Sequence, residues 1–369
     1  MLRQQSVLGG LAILAVILNH TAGWGFTAMF WWTHRYREVA VPNYDAVGTL
    51  PYYALLIAKQ LTLFAVPSFL LISGFFIAYA ARGRQSSPGW NMISVRIKNL
   101  LVPYLIWSIV LFIGYFLIGT VWSPAEYLEM IVFGTATPEY FYVPAFCQLL
   151  LLAPLLLALA KAKPRAFVLA AILFHVGVLV CVYLHMMGAT FPGLRQEIPA
   201  VPRWFFGKWL LFFALGIIVG LDVDRFKQRC ARFKWHLLFA AVLLAVPAIL
   251  EAEVIFRTIG EDWRGDPTLL STTLYALAFA FCFLAFENIT IPFSRFLAMV
   301  GAKSYGIYLL HPLFLLFFPK ILYHVAPGIL AHQIFYQPIL FTAGLGGALA
   351  IMAVVAKSPV RRYYRYLFG

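Results

Sequence analysis

Ten long apolar stretches constrain the fold of this chain more than any other feature. They run over about 7–28, 53–80, 99–121, 144–160, 166–187, 207–221, 236–254, 269–286, 304–322 and 338–356. A helix rises about 1.5 Å per residue, so roughly 20 apolar residues match the hydrocarbon thickness of a bilayer. The sequence therefore predicts an all-α polytopic membrane bundle of about ten transmembrane helices, forming a single integral domain over 1–369. Composition agrees: 63% of residues are apolar or aromatic, 11% are charged and the mean hydropathy is +0.85. Soluble domains carry about 25% charged residues. The first apolar run has no small-residue cleavage site after it and is read as a retained span, not a signal peptide. Cys147, Cys181, Cys230 and Cys282 lack CxxC spacing and are read as packing residues, with neither a disulfide nor a metal site expected.

Charge gives an independent constraint on topology, because cytoplasmic loops are enriched in Lys and Arg. With both termini cytoplasmic, 19 of the 28 basic residues fall on inner segments, including Arg82, Arg84, Arg96 and Lys98. The other nine are Arg35, Arg37, Lys59, Arg195, Arg203, Lys208, Arg257, Arg264 and Lys320. Anionic lipid head groups beside the inner loops account for the net charge of +14, and no nucleic-acid module is present in the sequence.

Polar residues within such spans cost energy unless a partner or an aqueous cavity receives them. In LAILAVILNHTAGWGF the pair Asn19 and His20 interrupts the first span, with His20 about 20 Å from the inner end and so in its outer half. Lys59 lies in the outer part of the second span and Ser73 deeper, towards the cytoplasm. The ninth span, SYGIYLLHP, brings Tyr305, Tyr308 and His311, while Gln148 stands in the fourth. Asn19, Lys59, Gln148 and Tyr308 are candidates for lining a cavity. Prolines inside spans, among them Pro67, Pro103, Pro154 and Pro247, free backbone carbonyls that neighbouring helices or a cavity must satisfy.

The motifs FAVPSFLLISGFF, RIKNLLVPYLIWS, FFALGIIVG and GAKSYGIYLLHP, in that order, resemble the characteristic segments of acyltransferase family 3 membrane proteins. The resemblance covers nearly the whole chain. It implies transfer of an acyl group, often acetyl, from a cytoplasmic donor such as acetyl-CoA to a carbohydrate or other hydroxylated acceptor at the membrane. It implies a bacterial cytoplasmic membrane location, and it makes the first-span histidine, His20, the catalytic base. A neutral imidazole can take the proton of a hydroxyl attacking a thioester carbonyl. Family members commonly place an arginine eleven residues before that histidine; this chain has Gly9 there, and Arg3 or Lys59 are the candidates to replace it.

The remaining site candidates each have an ordinary explanation beside the functional one. Arg82, Arg84, Arg96 and Lys98 fit a clamp for the phosphates of CoA, and equally a plain inner-face charge bias. Ser73 and Gly74 fit passage of a pantetheine arm or small-residue helix packing. Tyr305 and His311 are assigned to donor contact, against interhelical hydrogen bonding. His175, His185 and His236 are read as core or interface residues. Glu126, Glu129 and Glu139 are read as a solvated acidic outer loop, with sugar binding as the alternative. Two functions follow: an O-acyltransferase acting on a glycan, lipid-linked sugar or similar acceptor, or a carrier that exports a polysaccharide or lipid-linked glycan. The two repeated halves with broken helices that mark many transporters are not seen in the sequence.

Overall fold

The computed structural model describes residues 2–82, 89–190, 197–260, 266, 268–286 and 291–369. Helices α1 (Leu2–Phe26), α2 (Leu50–Leu61), α3 (Ala65–Ala80), α4 (Trp90–Leu117), α5 (Pro124–Phe133) and α6 (Tyr142–Ala162) make up the first half. They are followed by α7 (Pro164–Met186), α8 (Leu210–Leu221), α9 (Val223–Arg232), α10 (Lys234–Ile259) and α11 (Leu270–Ala285). The chain closes with α12 (Ser294–Ala302), α13 (Ser304–Val325), α14 (Gln333–Lys357) and α15 (Tyr364–Phe368). A wide π-turn, Thr27–Trp31, extends α1 outward.

Among the described residues, eight segments are long and apolar enough to cross a bilayer, and the shorter apolar helices α8 and α11 occupy the sixth and eighth predicted spans. The protein is thus an all-α, multi-pass membrane bundle. Apolar residues at helical spacing, such as Leu169, Leu173, Val176 and Val180 on α7, face outward where lipid would lie. Both ends of the chain reach one face: the indole of Trp107 donates to the carbonyl of Leu367 at 2.7 Å, and α12 packs on the first turns of α1. The concentration of basic residues assigns that face to the cytoplasm.

The second predicted span is two helices, and its break has a chemical cause. Pro67 has no N–H for the carbonyl of Leu63, and its ring crowds that turn. The chain accordingly unwinds between Leu61 and Ala65. The loosened carbonyls find other donors: Lys59 O accepts from Asn19 Nδ2 at 2.9 Å and from Thr62 Oγ1 at 2.8 Å, and Leu61 O accepts from the hydroxyl of Tyr275 at 2.9 Å. Asn19 also donates to Thr62 Oγ1 at 3.0 Å. The amide that precedes His20 therefore staples α1 to the α2–α3 break.

Close approach of backbones builds the inner half. A Cβ on Gly74 would sit 2.2 Å from the carbonyl oxygen of Phe213, and one on Gly216 would sit 2.1 Å from that of Leu71. Only glycine lets α3 and α8 meet this closely, the small-residue packing common between membrane helices. Gly74 thus serves packing, while its neighbour Ser73 faces elsewhere. The same device joins α1 to α12, where a Cβ on Gly301 would lie 2.1 Å from the carbonyl oxygen of Ser6. Gly9 lies on this seam, 4.0 Å from the Cα of Gly301 by the same construction.

Candidate active site

His20 is where the bundle opens. Two chambers of about 290 Å³ each meet at this residue and share Asn19, Pro138, Glu139 and Arg203 in their walls. The inner chamber continues towards the cytoplasmic face past Val66, Phe69, Ser73 and Tyr142, ending near Leu100, Ser304 and Tyr305. The outer chamber continues the other way, past Gly23 and Trp24 of α1 and Thr27 of the π-turn, with Lys59, Tyr115 and Trp31 in its wall. His20, Gly23 and Trp24 of α1 and Thr27 of the π-turn that extends it recur at helical spacing, so one stripe of this continuous segment lines the path.

The imidazole has a carboxylate partner. Nδ1 of His20 lies 3.1 Å from Oε1 of Glu139, and both side chains are partly buried, 27% and 11% exposed. A carboxylate at this distance accepts the Nδ1 proton and so fixes the tautomer in which Nε2 keeps its lone pair. His20 is thereby prepared to accept a proton.

Glu139, read from sequence as part of a solvated acidic loop, instead arrives at the junction on an irregular loop that returns into the bundle. Helix α5 begins with a capping box, Ser123 with Glu126, and stops at Gly134, whose φ of 68° favours glycine. From there the chain turns back into the bundle, burying Ala136, Thr137 and Tyr140. Non-helical backbone at this depth is tolerated where it lines a cavity and its polar groups are satisfied. Tyr308 donates to the carbonyl of Glu139 at 2.6 Å and Tyr115 to that of Ala136 at 3.3 Å, while Tyr140 donates back to the carbonyl of Leu309 on α13 at 2.7 Å. Tyr308 and Tyr140 lock the carboxylate loop to α13.

A second loop brings Arg203. Its carbonyl accepts from the indole of Trp209 at 2.7 Å. Gln148 donates through Nε2 to Trp204 O at 2.9 Å and accepts from Phe206 N at 3.2 Å. The loops stack on each other through Phe133 with Trp204 and Phe141 with Trp209, ring centroids 4.6 and 5.4 Å apart. Lys208 forms an ion pair with Asp266, pinning the same loop to the start of α11. Neither Glu139 nor Arg203 was among the residues predicted for the site. The signal available in sequence was a single charge amid aromatics, PEYFY and PRWFF, in each case just before an apolar helix.

Of the predicted residues, the structure brings together His20, Asn19, Lys59, Ser73, Tyr305 and Tyr308 on the chamber walls. Two expectations require correction. Gln148 does not line a chamber, because its amide is occupied by the backbone of the Arg203 loop. His311 is fully buried, outside both chamber walls: its ring stands 5.5 Å from that of His20, and its Nδ1 is 3.1 Å from the carbonyl of Ile307. It packs beside His20 and is buried from both chambers. Among the inner basic residues, Arg82 faces Asp224 at 3.6 Å, Lys98 is exposed, and Arg96 is half-buried one turn inward of Leu100 on α4. None of these three lines a chamber. Arg84 lies outside the described residues.

Comparison with known proteins bears on the identity of this site. No curated protein and no solved structure matches the chain. Residues 7–357 match a family of acyltransferase domains, acyltransferase family 3, and so nearly every element described above falls within the match. The chain, a multi-pass membrane bundle with a histidine at the meeting point of two chambers, belongs to acyltransferase family 3.

Proposed function

We propose that the protein is an O-acyltransferase that moves an acyl group, acetyl in the simplest case, from a cytoplasmic acyl-CoA to a hydroxyl of a membrane-proximal acceptor. The acceptor is a glycan, a lipid-linked sugar or a similar molecule of the cell envelope, and the membrane is the cytoplasmic membrane of a bacterium. The observation that carries the reading is the position of His20, shared by the inner and outer chambers with Glu139 on its Nδ1.

In this reading the donor enters from the inner face. Arg96, with Arg82 and Lys98 of that face, holds the CoA phosphates near the inner mouth, and the pantetheine arm runs past Tyr305 and Ser73. The thioester carbonyl then stops beside His20. An acceptor hydroxyl reaches the same point from the outer chamber. As its oxygen bonds to the carbonyl carbon, Nε2 of His20 takes the proton, and Glu139 balances the imidazolium that forms. The tetrahedral oxyanion lies next to Arg203, a fixed cation where negative charge develops. When the C–S bond breaks, the leaving thiolate takes the proton back from Nε2, giving an ester, free CoA and the neutral histidine. Arg203 lies on the loop before α8, so in this reading the positive charge comes from that loop and not from the first span, where Gly9 stands.

The test is release of free thiol from acetyl-CoA, and of ester from an acceptor extract, by purified protein in nanodiscs. Loss of a general base costs about 10²- to 10⁴-fold in rate, so His20→Ala should fall by that much while remaining folded. Thiol release by wild type no faster than by His20→Ala would sink the proposal and leave the carrier function to be tested by transport.

A further inference from the structure

A third cavity lies on the outer face, beyond the transfer site. It is a cleft of about 240 Å³ between the turn that follows α1, the loop that leads into α2 and the first turn of α14, and it shares no residue with either chamber. Hydrogen bonds within the protein fix its walls. The hydroxyls of Thr33, Tyr36 and Thr49 donate to the carbonyls of Met29, Ala28 and Ala46. Asn43 is held twice: its N–H donates to Phe30 O at 2.8 Å, and its Oδ1 accepts from Asp45 N at 2.8 Å.

Arg37 and Asp45 bring opposite charges to this prepared cleft, and their side chains form no ion pair or hydrogen bond among the described residues. The two charges cancel, so an anion drawn by one meets the other, and the cleft favours a neutral ligand. A guanidinium only donates and a carboxylate only accepts. A ligand that serves both must therefore donate and accept, as the hydroxyls of a sugar do, and the ring of Tyr36 offers its C–H face a flat apolar surface. Position points the same way. Trp31, 48% exposed, lines the outer chamber, while Met29 and Thr33 on either side of it line the cleft. Thr33 lies roughly 20 Å outward of His20 along α1 and its continuation, at about 1.5 Å per residue.

We propose that the cleft binds a neutral sugar unit of the acceptor, far outward of the unit that is acylated. The acceptor is then a glycan chain that leaves the outer chamber across Trp31, and not a single sugar. The proposal rests on the acyl-transfer reading for the role of the bound sugar. Its binding claim stands apart from that chemistry.

The probes are the methyl glycosides of glucose, galactose, mannose and N-acetylglucosamine. Each is titrated against the unfolding temperature of the full-length protein in nanodiscs, for wild type, Asp45→Ala and His20→Ala. Asp45 is exposed and its carboxylate ties no other described residue, so Asp45→Ala without sugar should unfold at the wild-type temperature. Losing a hydrogen bond to a charged group weakens binding about tenfold or more. At least one glycoside should therefore stabilise wild type and His20→Ala alike, and Asp45→Ala should need about ten times its concentration or more. No stabilisation of wild type by any of the glycosides overturns the proposal, and so does stabilisation that Asp45→Ala leaves unchanged. The acceptor role is read from transfer to an acceptor extract, which the stabilising glycoside should inhibit in competition with the acceptor and not with acetyl-CoA. Inhibition that is absent, or indifferent to acceptor concentration, overturns that role. Stabilisation lost in Asp45→Ala, without any His20-dependent thiol release, upholds the sugar site and refutes the transfer reading.

Discussion

The far ends of the two chambers and the junction at His20 have different builders. Helices supply most of both ends: α3, α6 and α13 present Phe69, Ser73, Phe146 and Tyr305 to the inner one, and α1, α4 and α13 present Trp24, Tyr115 and Leu316 to the outer one. The junction depends also on segments between helices, because Glu139 and Arg203, which line both chambers, come from loops that turn back into the bundle. A space walled by helices is rigid because each wall is packed on another, as the glycines of α3 and α8 show. A space walled by loops depends on specific hydrogen bonds. The charged groups of the junction therefore rest on loops held by a few named hydrogen bonds, and perturbing those bonds sharpens the contrast.

The largest effect expected on the loop side is at the carboxylate. Glu139→Gln keeps the shape and removes the charge, so thiol release should fall about 10- to 150-fold, the kinetic equivalent of losing one charge-assisted hydrogen bond. Next is the tie that places it. Tyr308→Phe removes the donor to Glu139 O, and with a neutral hydrogen bond contributing about 1 kcal/mol, turnover should drop by roughly 2- to 12-fold. Saturating acetyl-CoA should not restore it, since the donor site is intact. An equal loss from Ser73→Ala, whose hydroxyl already serves Phe69 O on its own helix, would contradict the contrast.

The smallest effect is on stability. Burial pushes the Asp266 carboxyl up, but the Lys208 ammonium, the hydroxyl of Thr268 and the charge of Arg203 outweigh it and hold the group below its ordinary value. A carboxyl depressed by folding stabilises the native state above its unfolded value, near 4, and the contribution is lost as pH falls through the lower folded value. Wild type should therefore lose unfolding temperature in acid more steeply than Asp266→Asn. Parallel curves would show that the pair does not hold the Arg203 loop.

This division also explains what could be read without coordinates. The ten spans were legible because hydropathy over 20 residues integrates many weak signals, and eight long helices plus two short ones answer them. His20 was legible because an imidazole in a hydrocarbon run needs a reason. Glu139 was not, because nothing local distinguishes a loop that returns into a bundle from one that stays in water. Gln148 and His311 failed as wall residues for a related reason: depth in a span does not fix the direction of a side chain. One turns to the Arg203 loop and the other packs beside the base. Gly74 and Ser73, adjacent in sequence, divide between helix packing and the chamber wall because successive residues point about 100° apart around a helix.

The central claim is that His20 and Glu139 act as one unit at the junction. A double-mutant cycle on acetyl-CoA turnover tests it most directly, using wild type, His20→Ala, Glu139→Gln and the double variant, each checked for folding. Residues that work through one another are strongly non-additive. The account predicts that Glu139→Gln costs nothing further once His20 is gone, leaving the double variant as active as His20→Ala alone. Losses that multiply would mean that Glu139 acts independently of His20, and the base at the meeting point of the chambers would have to be sought elsewhere.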